Sequence, residues 1–263
     1  MYPATKNIVV GAGHIYFDEF DTDGNPQGER YLAETPGFSL SVSVETLEDY
    51  SSDGAVAEKH LDIPIRTVRD SNVTLKDMKL ENFAMFVIGT VSAVTTTSGA
   101  VTADPINGGQ GVKQGHWYQL GVDNATMPTG VRDITSLVIN DGVTPQTITD
   151  DYLADLVTGR IYIVPGGGIP NGTVLTADYN EQDRTWSQVA SNDLGAKKGA
   201  LRYVAGNTTG ENRDVFLPST VLKPDGEVQF KSRDTVQQMG FALSVQKPSD
   251  GRAAVYVNGR AAA

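Results

Sequence analysis

Short runs in which apolar and polar side chains alternate recur along the chain, separated by dense turn residues, 28 glycines and 12 prolines in all. A period of two puts successive side chains on opposite faces of a strand, so the pattern predicts a mainly β fold. In GFSLSVSVE, Phe38, Leu40, Val42 and Val44 point one way, towards a core, while Ser39, Ser41, Ser43 and Glu45 point the other. HLDIPIRTV, with Leu61, Ile63 and Ile65 on one face, is the expected returning strand, and the polar stretch TLEDYSSDGAVAEK, residues 46–59, is the long connection between the two. Towards the C-terminus GEVQFKS and MGFALSVQ alternate again, with Val228 and Phe230, then Phe241, Leu243 and Val245, as the buried set.

One segment follows a different period. In LENFAMFVIGT the residues Leu80, Phe83, Ala84, Val87 and Ile88 recur at three-four spacing, and Gly89 stands where a helix C-terminal glycine belongs. This predicts a short amphipathic helix packed on a sheet. TVSAVTTTSGAVTADPINGGQG, rich in Thr, Ser and Gly, reads as a linker or exposed loop. HWYQLGV, DITSLVI, YLADLVTGRIYIV and GTVLTADYN then read as further strands. The expected organisation is therefore residues 1–90, an inserted β-rich region over 91–184, and a return of the first domain over 185–263.

Composition narrows the function classes. A chain of 263 residues can bury one sizeable core, or one core plus an insertion with its own. It has no cysteine, which removes disulfides, thiolate metal sites and a cysteine nucleophile together. No apolar run approaches the roughly 18 residues of a membrane span, and no basic-then-apolar leader opens the chain, so neither a membrane nor secretion is expected. The formal charge of −11 opposes tight binding to nucleic acid, though not proximity to it.

The candidate chemistry is sparse. FDEFDTDGNPQGERY resembles a calcium loop with Glu19, Asp21, Asp23 and Gly24 in place, but the position that needs a bidentate glutamate holds Arg30. A hairpin turn is the better reading. His14, His60 and His116 lack metal-pair spacing, and the pairs Glu48/Asp49 and Asp150/Asp151 are strand neighbours whose side chains diverge. GAGH and PGGGIPNG read as turns, and GAKKGALR, with Lys197, Lys198 and Arg202, as a solvated loop. No catalytic residue, metal site or cofactor is assigned, and the chain is not expected to be an enzyme.

GERYLAETPGFSLS, EDYSSDG and LENFAMFVIG, in this order over about the first 90 residues, resemble the major tail tube protein family of long-tailed (siphovirus) bacteriophages; RDVFLPSTVLKPDGEVQF through MGFALSVQ resembles its closing strands more loosely. The resemblance implies a tail-tube-type β-sandwich or barrel with one short flanking α-helix, here carrying an inserted β-rich region. It implies a structural virion protein, made in the host bacterial cytoplasm, whose copies form stacked hexameric rings around a lumen that delivers the genome. Its partners would be itself, the tape measure protein, tail-end proteins and double-stranded DNA in transit. Ser39, Ser41, Ser43 and Glu45 would then suit a lumen wall, although the same alternation fits an ordinary solvent face. Glu48, Asp49, Tyr50, Ser51, Ser52 and Asp53 would form a mobile hairpin tip that orders against the next ring, with Tyr50 as its apolar anchor. Residues 91–184 would decorate the outside of the tube; extension of the main sandwich or bridging between subunits competes with that placement. A secreted or surface carbohydrate-binding module is the alternative function. It requires clustered exposed aromatics, and the only tryptophans are Trp117 and Trp186. A β-rich hydrolase would require a carboxylate pair or triad that the sequence does not assemble.

Overall fold

The computed structural model describes residues 8–142, 144–191 and 195–260. The fold is mainly β and antiparallel, with one short α-helix. In chain order the elements are β1 (Gly13–Glu19), β2 (Arg30–Tyr31), β3 (Gly37–Tyr50), β4 (Lys59–Leu75), α1 (Leu80–Phe86), β5 (Gly89–Thr96), β6 (Gly99–Pro105), β7 (Trp117–Gln119), β8 (Thr135–Asp141), β9 (Thr144–Pro145), β10 (Tyr152–Asp155), β11 (Arg160–Ile163), β12 (Leu175–Glu181), β13 (Arg184–Ser191), β14 (Lys197–Ala205), β15 (Asn212–Asp225), β16 (Met239–Val245) and β17 (Tyr256–Arg260). They form two compact units: Met1–Val91 with Val189–Ala263, and Ser92–Gln188. The C-terminal limit of the second unit lies four residues beyond the boundary expected at 184. That boundary falls at the start of β13, which pairs with β5. Gly89 lies beside Ala190 and Thr95 beside Thr185, so the chain enters and leaves the inserted unit side by side.

The first unit is built on one sheet of order β2-β1-β14-β15-β16-β4-β3, with β17 added to β15. Its core is the inward set of these strands: Ile15 and Phe17 of β1, Leu201 of β14, Leu217 and Leu222 of β15, and Phe241 and Leu243 of β16. Phe241, Leu243 and Val245 are buried as their alternation predicts. Strand β15 changes partner along its length, pairing Asn212–Phe216 with β17 and Thr220–Asp225 with β16. Pro218 sits in the gap, where its missing N–H leaves no ladder bond broken. Opposite, the β14 ladder shifts register between Gly199 and Leu201, and the buried Thr220 hydroxyl donates to the Gly199 carbonyl at 2.9 Å. Gly199 has no alternative there, because a Cβ would collide with the Asp18 carbonyl and the Phe17 ring.

Three expectations for this unit need correction. The helix exists, but it ends at Phe86; Val87 is its C-cap and Ile88 takes the left-handed conformation (φ 51°) assigned to Gly89. Gly89 is needed elsewhere, as a strand residue against which the Ala190 carbonyl packs too closely for any Cβ. Of the expected packing set, Ala84 is buried, Phe83, Val87 and Ile88 are half-buried, and Leu80 is 40% exposed. Asn82 and Met85 take the buried positions instead. GEVQFKS is not a strand: Val228 packs against the core, but Phe230 is 71% exposed and meets the Phe83 ring in a T-shaped contact. GAKKGALR is not a loop but the start of β14, where Lys197 donates to Glu19 at 2.6 Å and Arg202 to Glu29 while lying over the Phe216 ring.

The inserted unit contains a four-stranded sheet, β6-β12-β8-β9, and a three-stranded sheet, β10-β11-β7. Its own core includes Ile106, Leu120, Ile139, Tyr152, Ile161, Ile163 and Leu175. The Thr/Ser/Gly-rich stretch expected to be a linker forms β5 and β6. Its Thr and Val residues are β-branched, and such side chains favour the pleated surface even where charge and aromatic content are low.

Each core is closed within its own unit, so damage to one should spare the other. Phe241→Ala should destabilise the first unit by about 3–5 kcal/mol and Ile161→Ala the second by about 2–5 kcal/mol. Calorimetry should resolve two transitions, each shifted by one substitution alone; a common shift from either would contradict independent cores.

Candidate functional site

The calcium-like stretch is a turn between β1 and β2, and its carboxylates at Asp18, Glu19 and Asp21 are committed to the chain. Asp21 accepts from the backbone N–H groups of Asp23 and Asn25 at 2.9 and 2.8 Å, and Asp18 accepts from those of Gln27 and Gly28. The Asn25 bonds hold the Asp21 carboxyl below its ordinary range. Glu19 pairs with Lys197, and Arg30 donates to the buried Asn82 at 2.6 Å, tying the turn to α1.

The feature with the greatest surface consequence is the β3–β4 hairpin. Strand β4 pairs with β16 only from Asp70 to Leu75, and among the described residues β3 has no neighbour on its other side. Residues 59–69 and their β3 partners therefore project as a two-stranded arm about 35 Å long. The strands run further than the sequence suggested: pairing continues to Tyr50 and Lys59, so Thr46 to Tyr50 are ladder residues and the turn proper is 51–58. Glu48, Asp49 and Tyr50 thus lie in the strand, and Ser51, Ser52 and Asp53 in the turn.

The arm also departs from the expected burial. Phe38 and Leu40 pack on the core, but Val42 and Val44, on the same face, are exposed, as are Leu61, Ile63 and Ile65. Ser39, Ser41, Ser43 and Glu45 share the opposite face and are exposed, with Asn72, Asp70, Val68 and Arg66 as cross-strand partners. A bulge at Ile65 shifts the register between Glu45 and Thr46. Beyond it Leu47 faces Ile63 and Asp49 faces Leu61, which continues the serine face as an apolar one. The valine face continues as Thr46, Glu48 and Tyr50 opposite Pro64, Asp62 and Lys59. The arm is therefore apolar on one face near its root and on the other near its tip. Val44 is 53% exposed, Ile63 46% and Ile65 61%.

Ion pairs and one carboxylate–imidazole contact line the arm. Glu45 meets Arg66 at 3.2 Å, Asp49 meets His60 at 3.3 Å, and Lys59 donates to both Glu48 and Asp62 at 2.7 Å. The Tyr50 hydroxyl donates to Glu48 at 2.8 Å, so the residue expected to anchor a partner is engaged within the arm. Lys59 holds the Glu48 and Asp62 carboxyls below their ordinary values, Asp62 and Glu48 raise the ammonium of Lys59, and Glu48 raises the phenol of Tyr50.

The expected site residues thus fall together on this one hairpin, except for the helix set, of which Ala84 is buried and Phe83 packs against the core while Leu80 is exposed. Among the described residues no group of three or more His, Asp or Glu could hold a metal ion. Nor, among the described residues, is any helix long and apolar enough to cross a membrane. Over residues 8–218 the chain matches the family described as protein of unknown function UCP028589, and it belongs to that family. The matched span takes in both the arm and the inserted unit. No curated protein matches the chain.

The charge network sets an acid limit on the arm. Because the Glu48 and Asp62 values are depressed, their contribution is present above the ordinary 4.5 and 3.8 and is lost as pH falls through the lowered values. Carboxyl ¹³C titration should place both midpoints below those values. Glu48→Gln should return the Tyr50 titration towards 10; an unmoved Tyr50 would break the proposed network.

Proposed function

We propose that this chain is a structural subunit whose copies assemble into stacked hexameric rings, forming the hollow tail tube of a bacteriophage. The observation that carries the reading is the arm. A two-stranded ribbon is marginal alone in water, and this one presents valine, leucine and isoleucine on both faces with an unpaired outer strand. Contiguous exposed apolar surface of this kind marks an interaction site, and each such side chain contributes roughly 1.5–3 kcal/mol when fully buried. The tail tube resemblance of the same stretch supplies the partner, a second copy of the chain.

The inversion at Ile65 gives the two halves of the arm separate roles. Near the root, the β3 edge is open to a strand from a ring neighbour, and pairing around the ring would leave no exposed sheet edge. Ser39, Ser41, Ser43 and Glu45 would then face the lumen. Their only cationic cross-strand partner, Arg66, is neutralised by Glu45, so passing DNA finds small hydroxyls and little to hold a phosphate. Near the tip, Leu47, Leu61 and Ile63 are too apolar for a wet wall and are suited to burial against the next ring. The inserted unit, which closes its own core, would decorate the outside.

Electron microscopy and light scattering of the purified protein should show rings or hollow tubes. Val44→Glu and Ile63→Glu, both at exposed positions, should change subunit stability by no more than about 0.5 kcal/mol yet prevent assembly. A wild-type protein that stays monomeric across a wide concentration range, or variants that form normal tubes, would defeat the reading. Replacing residues 95–180 with a short Gly/Ser linker should give tubes of smaller outer diameter; loss of ring formation would instead make the inserted unit part of the tube wall.

A further inference from the structure

We infer that the inserted unit carries a binding site for neutral glycans, centred on Trp117. The site is independent of the arm and does not rest on the tube reading. Strand β7 is the edge of the sheet β10-β11-β7, and its alternation sends Tyr118 into the core while Trp117 and Gln119 face out. Trp117 pairs directly across from Tyr162, and Tyr162 from Leu153, so an aromatic and aliphatic row crosses the outer face of all three strands. Arg160 and Asp155 form the parallel polar row beside it.

Trp117 is braced yet open. Its ring centroid lies 5.3 Å from that of Tyr162 and 5.2 Å from the Arg160 guanidinium, and the residue remains 46% exposed. Pre-positioning of this kind removes the ordering cost that a free surface side chain would incur on binding. Alongside it opens a cleft of about 480 Å³, to which Asn107, Gln119 and Asn124 contribute amides and Val122 an apolar wall. The Gln119 amide is fixed by donating to the carbonyls of Val131, Thr158 and Gly159 at 2.9–3.0 Å.

The ligand class follows from this chemistry. A sugar ring presents a C–H face that packs on an aromatic ring and equatorial hydroxyls that both donate and accept, which matches a flat indole beside the amides of the cleft. A purely apolar partner would bury the Asn124 amide against carbon. Residues 92–188 hold ten Asp and Glu against four Lys and Arg, so an anionic polymer is repelled and a neutral one favoured.

Affinity electrophoresis of the full chain in gels containing dextran, laminarin or galactomannan tests this. At least one of the three should retard the protein, and Trp117→Ala should weaken retardation roughly tenfold, with Trp117→Phe intermediate and melting temperatures unchanged. In Trp186→Phe, where Trp117 is the sole tryptophan, the same glycan should shift or quench the emission. Retardation by none of the three, retardation undiminished in a folded Trp117→Ala, or equal retardation by polygalacturonate would overturn the inference. Tube formation is scored separately by microscopy, so failure of either proposal leaves the other standing.

Discussion

The antiparallel ladder between β1 and β14 is the constraint on which the first unit depends. It joins stretches at opposite ends of the chain; Lys197 donates to Glu19 across 178 positions of sequence. Loop-closure entropy grows only slowly with length, so the intervening chain could be long provided its ends returned side by side. The β5–β13 pair meets that condition, and the inserted unit meets its other half by burying its own core. Close fits along this seam explain Gly199 and Gly89, whose positions leave no volume for a Cβ. They also explain why the left-handed turn after α1 falls on Ile88 despite its branched side chain.

The same sheet that closes on one side remains open on the other. Strand β4 is secured by β16 only as far as Asp70, and past that point register rests on β3, cross-strand charges, the bulge at Ile65 and a second shift between Asp49 and Tyr50. Exposed ion pairs contribute little individually, so the ribbon's order in isolation is a matter of cooperation among weak terms. Its apolar residues cannot reach the core of their own unit. This is the physical basis for reading the arm as a surface made for another copy, and the bulge as the device that aims its two ends at different neighbours.

Two functions would then occupy two units without competing for residues. The arm draws on the first unit's sheet, while the Trp117 face belongs to a sheet whose opposite side is sealed by Tyr118, Ile161 and Ile163. On these proposals the negative charge would serve both, by discouraging adhesion of nucleic acid to the arm and by favouring uncharged ligands at the inserted unit.

Alternation in the sequence determined the mainly β class, the Phe241–Val245 strand and the pairing of GFSLSVSVE with HLDIPIRTV, because strand periodicity is a local property of the backbone. It also placed Ser39, Ser41, Ser43 and Glu45 on one face. What alternation could not determine is which apolar faces the chain covers for itself: Val42, Ile63 and Phe230 carry the same signal as Phe241, yet only the last lies within reach of the core. The Thr-rich strands β5 and β6 were hidden for a related reason, since turn-like composition masks β-branched propensity until a partner strand is in place. Asn82, buried on α1 and bonded by Arg30, gave no periodic signal at all. The face change at Ile65 and the Trp117–Tyr162 row depend on register between separate strands, and register is fixed only when the tertiary structure brings those strands together.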